Sequence, residues 1–449
     1  MKITSLLETY KAERLEFGLA LYLSYQPIVN GISMLSEAYR GLNISPQLGT
    51  LVRVVLLAAV AVSLLRSITL IVERLRLDVF IVALILILLF SIAWLDPIKA
   101  RIIRDQNMLV LAFLECLPAY VMCRVIADWR ALWSWLKKIN YIVFTLYILA
   151  FILVNVGSTY KYRTFASGVT LSSLIFMIEW AYVDNQLAVT PMAVSLFLVV
   201  TCGRRSSVVL LLIAYGLICY YKKKYKQIVV GVLVGLVILL FGQQILTFSY
   251  DFISSFGVRP RNLYRLVAGT VGDDSGRFDR WGAILKVVDS SIHNQLLGMG
   301  LVSDRVILMD YLMFTTDKAL YPHGIIVELI AHYGYLVGLG VFFWLFIVTP
   351  LRGARLQEGR PSFTCVFILT YSMSLALLFQ GSYLQDKYFF MLLGLAVWLR
   401  LMRRSPDAVR EELAASQQTD SPPHDVVALP ETKHLKVSSA SSIQVTERV

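Results

Sequence analysis

The residues of this chain best suited to chemistry are a few arginines and histidines in a strongly apolar background. Arg204 and Arg205 stand side by side in Val199-Val200-Thr201-Cys202-Gly203-Arg204-Arg205-Ser206-Ser207, which joins two apolar runs with almost no loop. A charge at the centre of a membrane helix costs about 2.5–3.5 kcal/mol on insertion scales, and less near the interface. Two adjacent arginines in so short a hairpin either snorkel to lipid headgroups or bind an anion, because guanidinium forks match phosphate oxygens. Arg163 occupies a comparable turn, Tyr160-Lys161-Tyr162-Arg163-Thr164. Further on come Arg259, Arg261 and Arg265, then Arg277 and Arg280 within Asp273-Asp274-Ser275-Gly276-Arg277-Phe278-Asp279-Arg280-Trp281. This last stretch reads as the start of an amphipathic helix, capped by Asp274 or Ser275, with Phe278, Trp281, Leu285 and Val288 as its apolar stripe. The Asp273-Asp274 doublet has no second carboxylate cluster with it, so capping is a better reading than metal binding.

Histidine is scarce. There are 5, and none precedes His293. His424 and His434 lie near the C-terminus, which leaves His293, His323 and His332 for acid–base work. His323 follows Pro322 where a polar stretch returns to an apolar run, and its imidazole can take or orient a hydroxyl proton near neutrality. Glu328 and His332 are spaced i,i+4 and fit a buried pair on one helix. Gly334 and Gly338 form a small-xxx-small pattern, read as close helix packing. The chain carries no GxxxxGK[ST] loop, no GxSxG elbow, no HExxH and no zinc-type Cys/His spacing. Any reaction here must therefore use an already activated substrate, with arginines, a histidine and scattered carboxylates.

The elements that position these residues follow from composition. The 449 residues are 57% hydrophobic and 16% charged, against about 25% charged for a soluble protein. The apolar residues form unbroken runs such as Val79–Phe90, not the alternation of an outer-membrane barrel. The fold class is thus an all-α polytopic membrane protein. Candidate spans fall near 15–36, 48–70, 78–95, 108–124, 139–156, 166–183, 187–202, 206–221, 227–246, 325–349, 362–380 and 388–402, about 12 in all, each near the ~20 residues a bilayer requires. One large loop separates the ninth from the tenth.

Charge sets the orientation. Lys222, Lys223, Lys224 and Lys226 fill one short loop, and Arg352, Arg355 and Arg360 another. With Arg124, Arg130, Lys137 and Lys138, and with Arg400, Arg403 and Arg404, they mark a single, cytoplasmic side. Both termini are then cytoplasmic, and most of the net charge of +12 is membrane anchoring with no nucleic acid implied. Lys99, Arg101 and Arg104 break the trend, as do Arg163, Arg204 and Arg205. The chain divides into nine spans over 1–242, an extracytoplasmic loop over 243–323, three spans over 324–404, and a polar, disordered cytoplasmic tail over 405–449. The 5 cysteines lie in or near apolar runs without CxxC spacing and read as inert buried thiols. No cleavable signal peptide is expected, since Met1–Glu16 lacks an apolar core.

Three motifs in this order resemble the O-antigen ligase/polymerase family of bacterial envelope glycan assembly. They are Thr201-Cys202-Gly203-Arg204-Arg205-Ser206, then Gly276-Arg277-Phe278-Asp279-Arg280-Trp281 with Leu297-Gly298-Met299-Gly300, then Tyr321-Pro322-His323-Gly324 through Glu328 to Gly334-Tyr335-Leu336-Val337-Gly338. Arg163-Thr164 is similar to an earlier arginine-bearing turn of the family. One departure is Gly324, where the family commonly has asparagine. The resemblance implies a GT-C-like fold in the bacterial inner membrane and a metal-independent glycosyl transfer without a cofactor. It also implies an undecaprenyl-pyrophosphate-linked oligosaccharide donor, used on the periplasmic face. Arg204, Arg205 and Arg277, with Arg163 and Arg280, would hold the pyrophosphate; His323 would serve as base, and Glu328 would orient His323 or the acceptor. The function implied is an O-antigen or exopolysaccharide polymerase, working with a chain-length regulator and a flippase. An O-antigen ligase acting on lipid A–core is the alternative within the family, and a lipid-linked glycan flippase or transporter the alternative outside it.

Overall fold

The computed structural model describes residues 13–38, 47–74, 77–126, 128–153, 159–201, 205–230, 276–313, 322–355, 360–378 and 381–402, with scattered positions between 233 and 255. Among the described residues the chain is helical and has no strand. Five helices are long and apolar enough to cross a membrane: Leu77–Trp94, Met108–Val125, Trp129–Leu153, Ile325–Gly353 and Pro361–Leu378. The protein is therefore an all-α chain of membrane-protein character. The other apolar runs also lie on helices wherever they are described, except that most of 227–246 falls outside the described residues, as does the tail beyond 402.

The helices that matter for the site are α1 (Arg14–Ala38), α2 (Gln47–Arg66), α3 (Ile68–Arg74), α4 (Leu77–Trp94), α5 (Pro97–Asp105), α6 (Met108–Val125) and α7 (Trp129–Leu153) in the first half. Next come α8 (Thr159–Ala181), α9 (Val189–Thr201) and α10 (Arg205–Tyr221). The segment expected as the large loop contains α11 (Gly276–Val288), α12 (Ile292–Leu297) and α13 (Ser303–Leu312). They are followed by α14 (Ile325–Phe343), α15 (Pro361–Ser374) and α16 (Lys387–Met402). Helix α1 packs against α2 and α7, while α11, α12 and α13 all pack against α14.

Helix α11 is amphipathic as expected, but its buried stripe is shifted. Ile284 and Val288 are fully buried and join Leu308 of α13 with Val327, Ile330 and Ala331 of α14 in one apolar cluster. Trp281 and Leu285 pack partly against it, whereas Phe278 is 73% exposed. The stripe thus runs 281-284-285-288, the i,i+3,i+4,i+7 face, and Phe278 falls outside it. Burying each such side chain contributes about 1.5–3 kcal/mol, which is ample to dock a short helix onto α14.

Helix α14 is not continuous. Gly334 has φ 75° and ψ 175°, so the helix breaks there. The expected close helix packing is met at Gly334, where a Cβ would stand 2.6 Å from the Gln295 carbonyl oxygen of α12, and the residue also takes a backbone conformation that side-chain-bearing residues rarely adopt. The bend is sharp enough that a Cβ on Gly338 would stand 2.6 Å from the Leu329 carbonyl oxygen. Gly338 does serve close packing, between the two halves of its own helix. The break frees carbonyls that residues one turn later would otherwise bond, and the Leu297–Gly300 turn takes them over. Met299 N–H donates to Ala331 O at 2.8 Å and Gly300 N–H to His332 O at 3.1 Å. Gly298, with φ 73°, fits face to face with the break, because a Cβ there would lie 2.4 Å from Tyr333 N.

Substitution at the break should therefore be costly. Gly334→Ala adds a Cβ 2.5 Å from the Leu296 carbonyl oxygen at a positive φ, and a loss of about 2 kcal/mol or more is expected. Gly340 has open space around its Cβ position, so Gly340→Ala should leave stability unchanged or slightly raised. Thermal unfolding of the detergent-purified protein compares the two; equal effects would reject the assignment.

Candidate functional site

The site grows from the junction where α11, the Leu297–Gly300 turn and α13 meet α14. Trp281 Nε1 donates to Pro322 O at 2.8 Å, locking α11 to the residue before His323. His323 is half-buried with φ 57°, a left-handed conformation that carries strain outside glycine. Residue 324 is closely covered: a Cβ on Gly324 would stand 2.7 Å from Trp281 Cζ2. The indole occupies the room a longer side chain would need. On the far side, the ammonium of Lys99 donates to Met299 O at 2.8 Å. Lys99, one of the basic residues off the charge trend, is thus a prop for the glycine turn, and burial pushes its pKa down. Arg101 and Arg104 instead stay exposed beside Asp105.

Beneath this junction lies a polar cluster in a dry setting. Asp304, Arg305, Glu328 and His332 are each at most 1% exposed. Asp304 Oδ1 stands 2.7 Å from His332 Nε2, and His332 Nδ1 stands 2.8 Å from the Tyr383 hydroxyl. Tyr383 in turn reaches the Tyr333 hydroxyl at 2.9 Å. The backbone N–H of Val302 also donates to His332 Nε2 at 3.1 Å. Val302 has φ 66°, an outlier for a β-branched residue, with a cost on the order of 1–3 kcal/mol. That strain aims its N–H at the imidazole. Burial alone would raise the Asp304 carboxyl, but His332 and Arg305 beside it hold it below its usual range.

Glu328 is fully buried. Its carboxylate accepts from the Ser382 hydroxyl and, at 3.3 Å, from Tyr383 N–H. It therefore anchors the Ser382–Tyr383 segment after α15. The i,i+4 pairing with His332 is realised as joint burial in one cluster. Asp304, Glu328 and His332 could hold a metal by residue type, since their ligand atoms lie within 4.8 Å of one another. The 2.7 Å Asp304–His332 contact is a hydrogen-bond distance, however, and leaves no space for an ion between those two atoms.

Of the expected pyrophosphate ligands, Arg280 is half-buried on α11. Arg204 lies outside the described residues. Arg163, Arg205 and Arg277 lie on α8, α10 and α11, but their side chains are outside the described set. His293 is exposed on α12, away from the buried cluster. Asp304, Tyr333, Ser382 and Tyr383 were missed by sequence reasoning. The only signal for Asp304 was an acid beside Arg305 just after the glycine turn, and for Ser382–Tyr383 the polar interruption Gln380-Gly381-Ser382 at the end of an apolar run.

A half-buried charge, Lys387, sits on the neighbouring segment. Lys387 donates to Tyr22 O at 2.7 Å and Leu23 O at 3.1 Å, with the Tyr25 and Tyr22 rings 4.7 and 5.0 Å away. Glu115, in a π-helical turn of α6, accepts from Tyr25 at 3.0 Å. Residues 381–387 therefore tie the Asp304 cluster to α1 and α6. No known protein family, no characterised relative and no solved structure matches this chain.

The Trp281–Gly324 contact gives a direct check. Gly324→Ala is expected to destabilise the protein, and Trp281→Leu to relieve most of that loss, with a coupling of about 1 kcal/mol or more in a double-mutant cycle. Additive effects in thermal unfolding would show that the indole does not set residue 324.

Proposed function

We propose that this chain is a glycosyltransferase of bacterial envelope glycan assembly, a polymerase of O-antigen or exopolysaccharide repeat units. It takes an undecaprenyl-pyrophosphate-linked oligosaccharide as donor and a second lipid-linked glycan as acceptor. In this reading the chain crosses the inner membrane about 12 times with both termini cytoplasmic, and residues 243–323 lie on the periplasmic face. The donor carries its own leaving group, in keeping with a sequence that has no nucleotide-binding motif. Arg204, Arg205 and Arg277, with Arg163 and Arg280, hold the pyrophosphate and stabilise its charge as it departs. His323 stands on the acceptor side and hydrogen-bonds its hydroxyl.

The observation that supports this reading is the Trp281–Pro322 hydrogen bond together with the glycine turn seated on the α14 break. These contacts make one unit of motifs that lie apart in the sequence, with an arginine-bearing helix on one side and His323 on the other. The Trp281 ring over Gly324 favours a polymerase over a ligase, since the family's asparagine has no room there. A chain-length regulator and a flippase of the same route are the expected partners.

Removal of the proposed pyrophosphate ligands is the test. Cells carrying Arg204→Ala with Arg205→Ala should make no long-chain glycan, at normal protein levels, and His323→Ala should reduce it by about 10-fold, the loss of one hydrogen bond to the acceptor. Gel profiles of extracted polysaccharide read the result. An unchanged chain-length ladder in the double arginine variant would sink the assignment.

A further inference from the structure

Asp304, His332, Tyr383 and Tyr333 form an unbroken series of polar atoms, with steps of 2.7, 2.8 and 2.9 Å. One end is sealed, because Asp304 and His332 are 0 and 1% exposed. At the other end Tyr333 is only half-buried. Each link can hold its proton on either side. A bare His332 Nε2 accepts from Val302 N–H, and a protonated one donates to Asp304, so the site meets both forms of this nitrogen. The other ring nitrogen likewise accepts from the Tyr383 hydroxyl when bare and donates to it when protonated. The charged and titratable groups around the imidazole are Asp304 and Arg305 from α13, Glu328 and Tyr333 from α14, Tyr383 from the segment after α15, and Lys99 from α5 near the turn.

We propose that Asp304, His332, Tyr383 and Tyr333 are a proton wire that takes the proton of the acceptor hydroxyl. The substrate rests on the transferase reading above; the wire itself does not. As the acceptor oxygen bonds to the anomeric carbon, the bond from that carbon to the pyrophosphate oxygen breaks, and its electron pair leaves with the pyrophosphate. The acceptor's proton passes to Tyr333, the Tyr333 proton to Tyr383, and the Tyr383 proton to His332 Nδ1. The imidazolium so formed is held by the Asp304 carboxylate, the logic of an Asp-His pair behind a hydroxyl. Tyr333 is the catalytic residue of the four, and the other three act through it.

Two measurements on the full chain separate the wire from the substrate assignment. In nanodiscs with 15N-labelled histidine, His332 is identified by His332→Gln. Tyr383→Phe and Tyr333→Phe should then both move its Nδ1 resonance, and Asp304→Asn its Nε2 resonance. Silence of Nδ1 in both tyrosine variants would overturn the wire. So would one equivalent of a transition-metal ion in the purified protein that is lost in His332→Gln. In cells, Tyr333→Phe should cut long-chain glycan by about 100-fold at neutral pH and recover progressively in more alkaline medium, where hydroxide replaces the lost acceptor. A purely structural role predicts a loss without pH recovery, and that result would overturn the proposal. Tyr335→Phe is the control: its hydroxyl bonds Asp289 at 3.0 Å, outside the wire, and the glycan should stay unchanged. A wild-type chain that makes no glycan would reject the transferase reading while the nitrogen resonances still report the wire.

Discussion

The break in α14 is the constraint on which the rest of the site depends. A helix interrupted in an apolar setting leaves backbone carbonyls without partners, and each such group costs several kcal/mol in hydrocarbon. The Leu297–Gly300 turn supplies those partners, with Met299 and Gly300 donating to Ala331 and His332. Everything near the site follows from keeping that turn in place. Lys99 holds its Met299 carbonyl, the Ser303 hydroxyl bonds its Gly300 carbonyl at 2.7 Å, and Val302 takes a strained conformation immediately after it. The same interaction delivers Asp304 to His332, because α13 begins where the turn ends.

Ionisable groups elsewhere in the described residues are buried in a different manner. Arg124 meets Asp78 at 2.7 Å with Tyr120 on the same carboxylate. Glu179 takes Trp133 at 2.6 Å and Asn185 at 3.1 Å, with Lys137 at 3.4 Å. Each of these is a charge closed off by direct partners, a device that lets an apolar bundle carry a few charges. The cluster at Asp304 instead runs on through two tyrosines, the outer of which, Tyr333, is only half-buried. Strain at both Val302 and His323 is concentrated in the same region, where a purely structural core would relax it.

Much of the fold was legible in sequence because hydropathy and helix period report burial directly. The helices under the apolar runs, the i,i+4 burial of Glu328 with His332, and the docking of α11 through Trp281, Leu285 and Val288 all follow from spacing. Phe278 shows the limit: it shares the helical period but sits one turn before the contact surface, and nothing local says where that surface ends. Gly334 shows another limit. Its spacing foretold the close approach of α12, but nothing local foretold that the same glycine would also break its helix at a positive φ.

The candidate site was legible only in part, and the reason is sequence separation. Tyr383 lies 51 residues from His332, and Lys99 lies 200 residues from Met299. Neither pairing leaves a local pattern. Motif reading found the residues with unusual chemistry, His323 and the arginines, because they are rare against an apolar background. It missed Asp304 and Tyr383, which are ordinary residue types until the fold removes them from water. Their chemistry is created by burial: a carboxylate and an imidazole at 2.7 Å without solvent bond each other more strongly than the same pair in water, where each would be separately hydrated. A scan for rare residues therefore selects what can bind substrate charge. The groups that move a proton emerge only when the helix break, the glycine turn and the 381–387 segment are brought together.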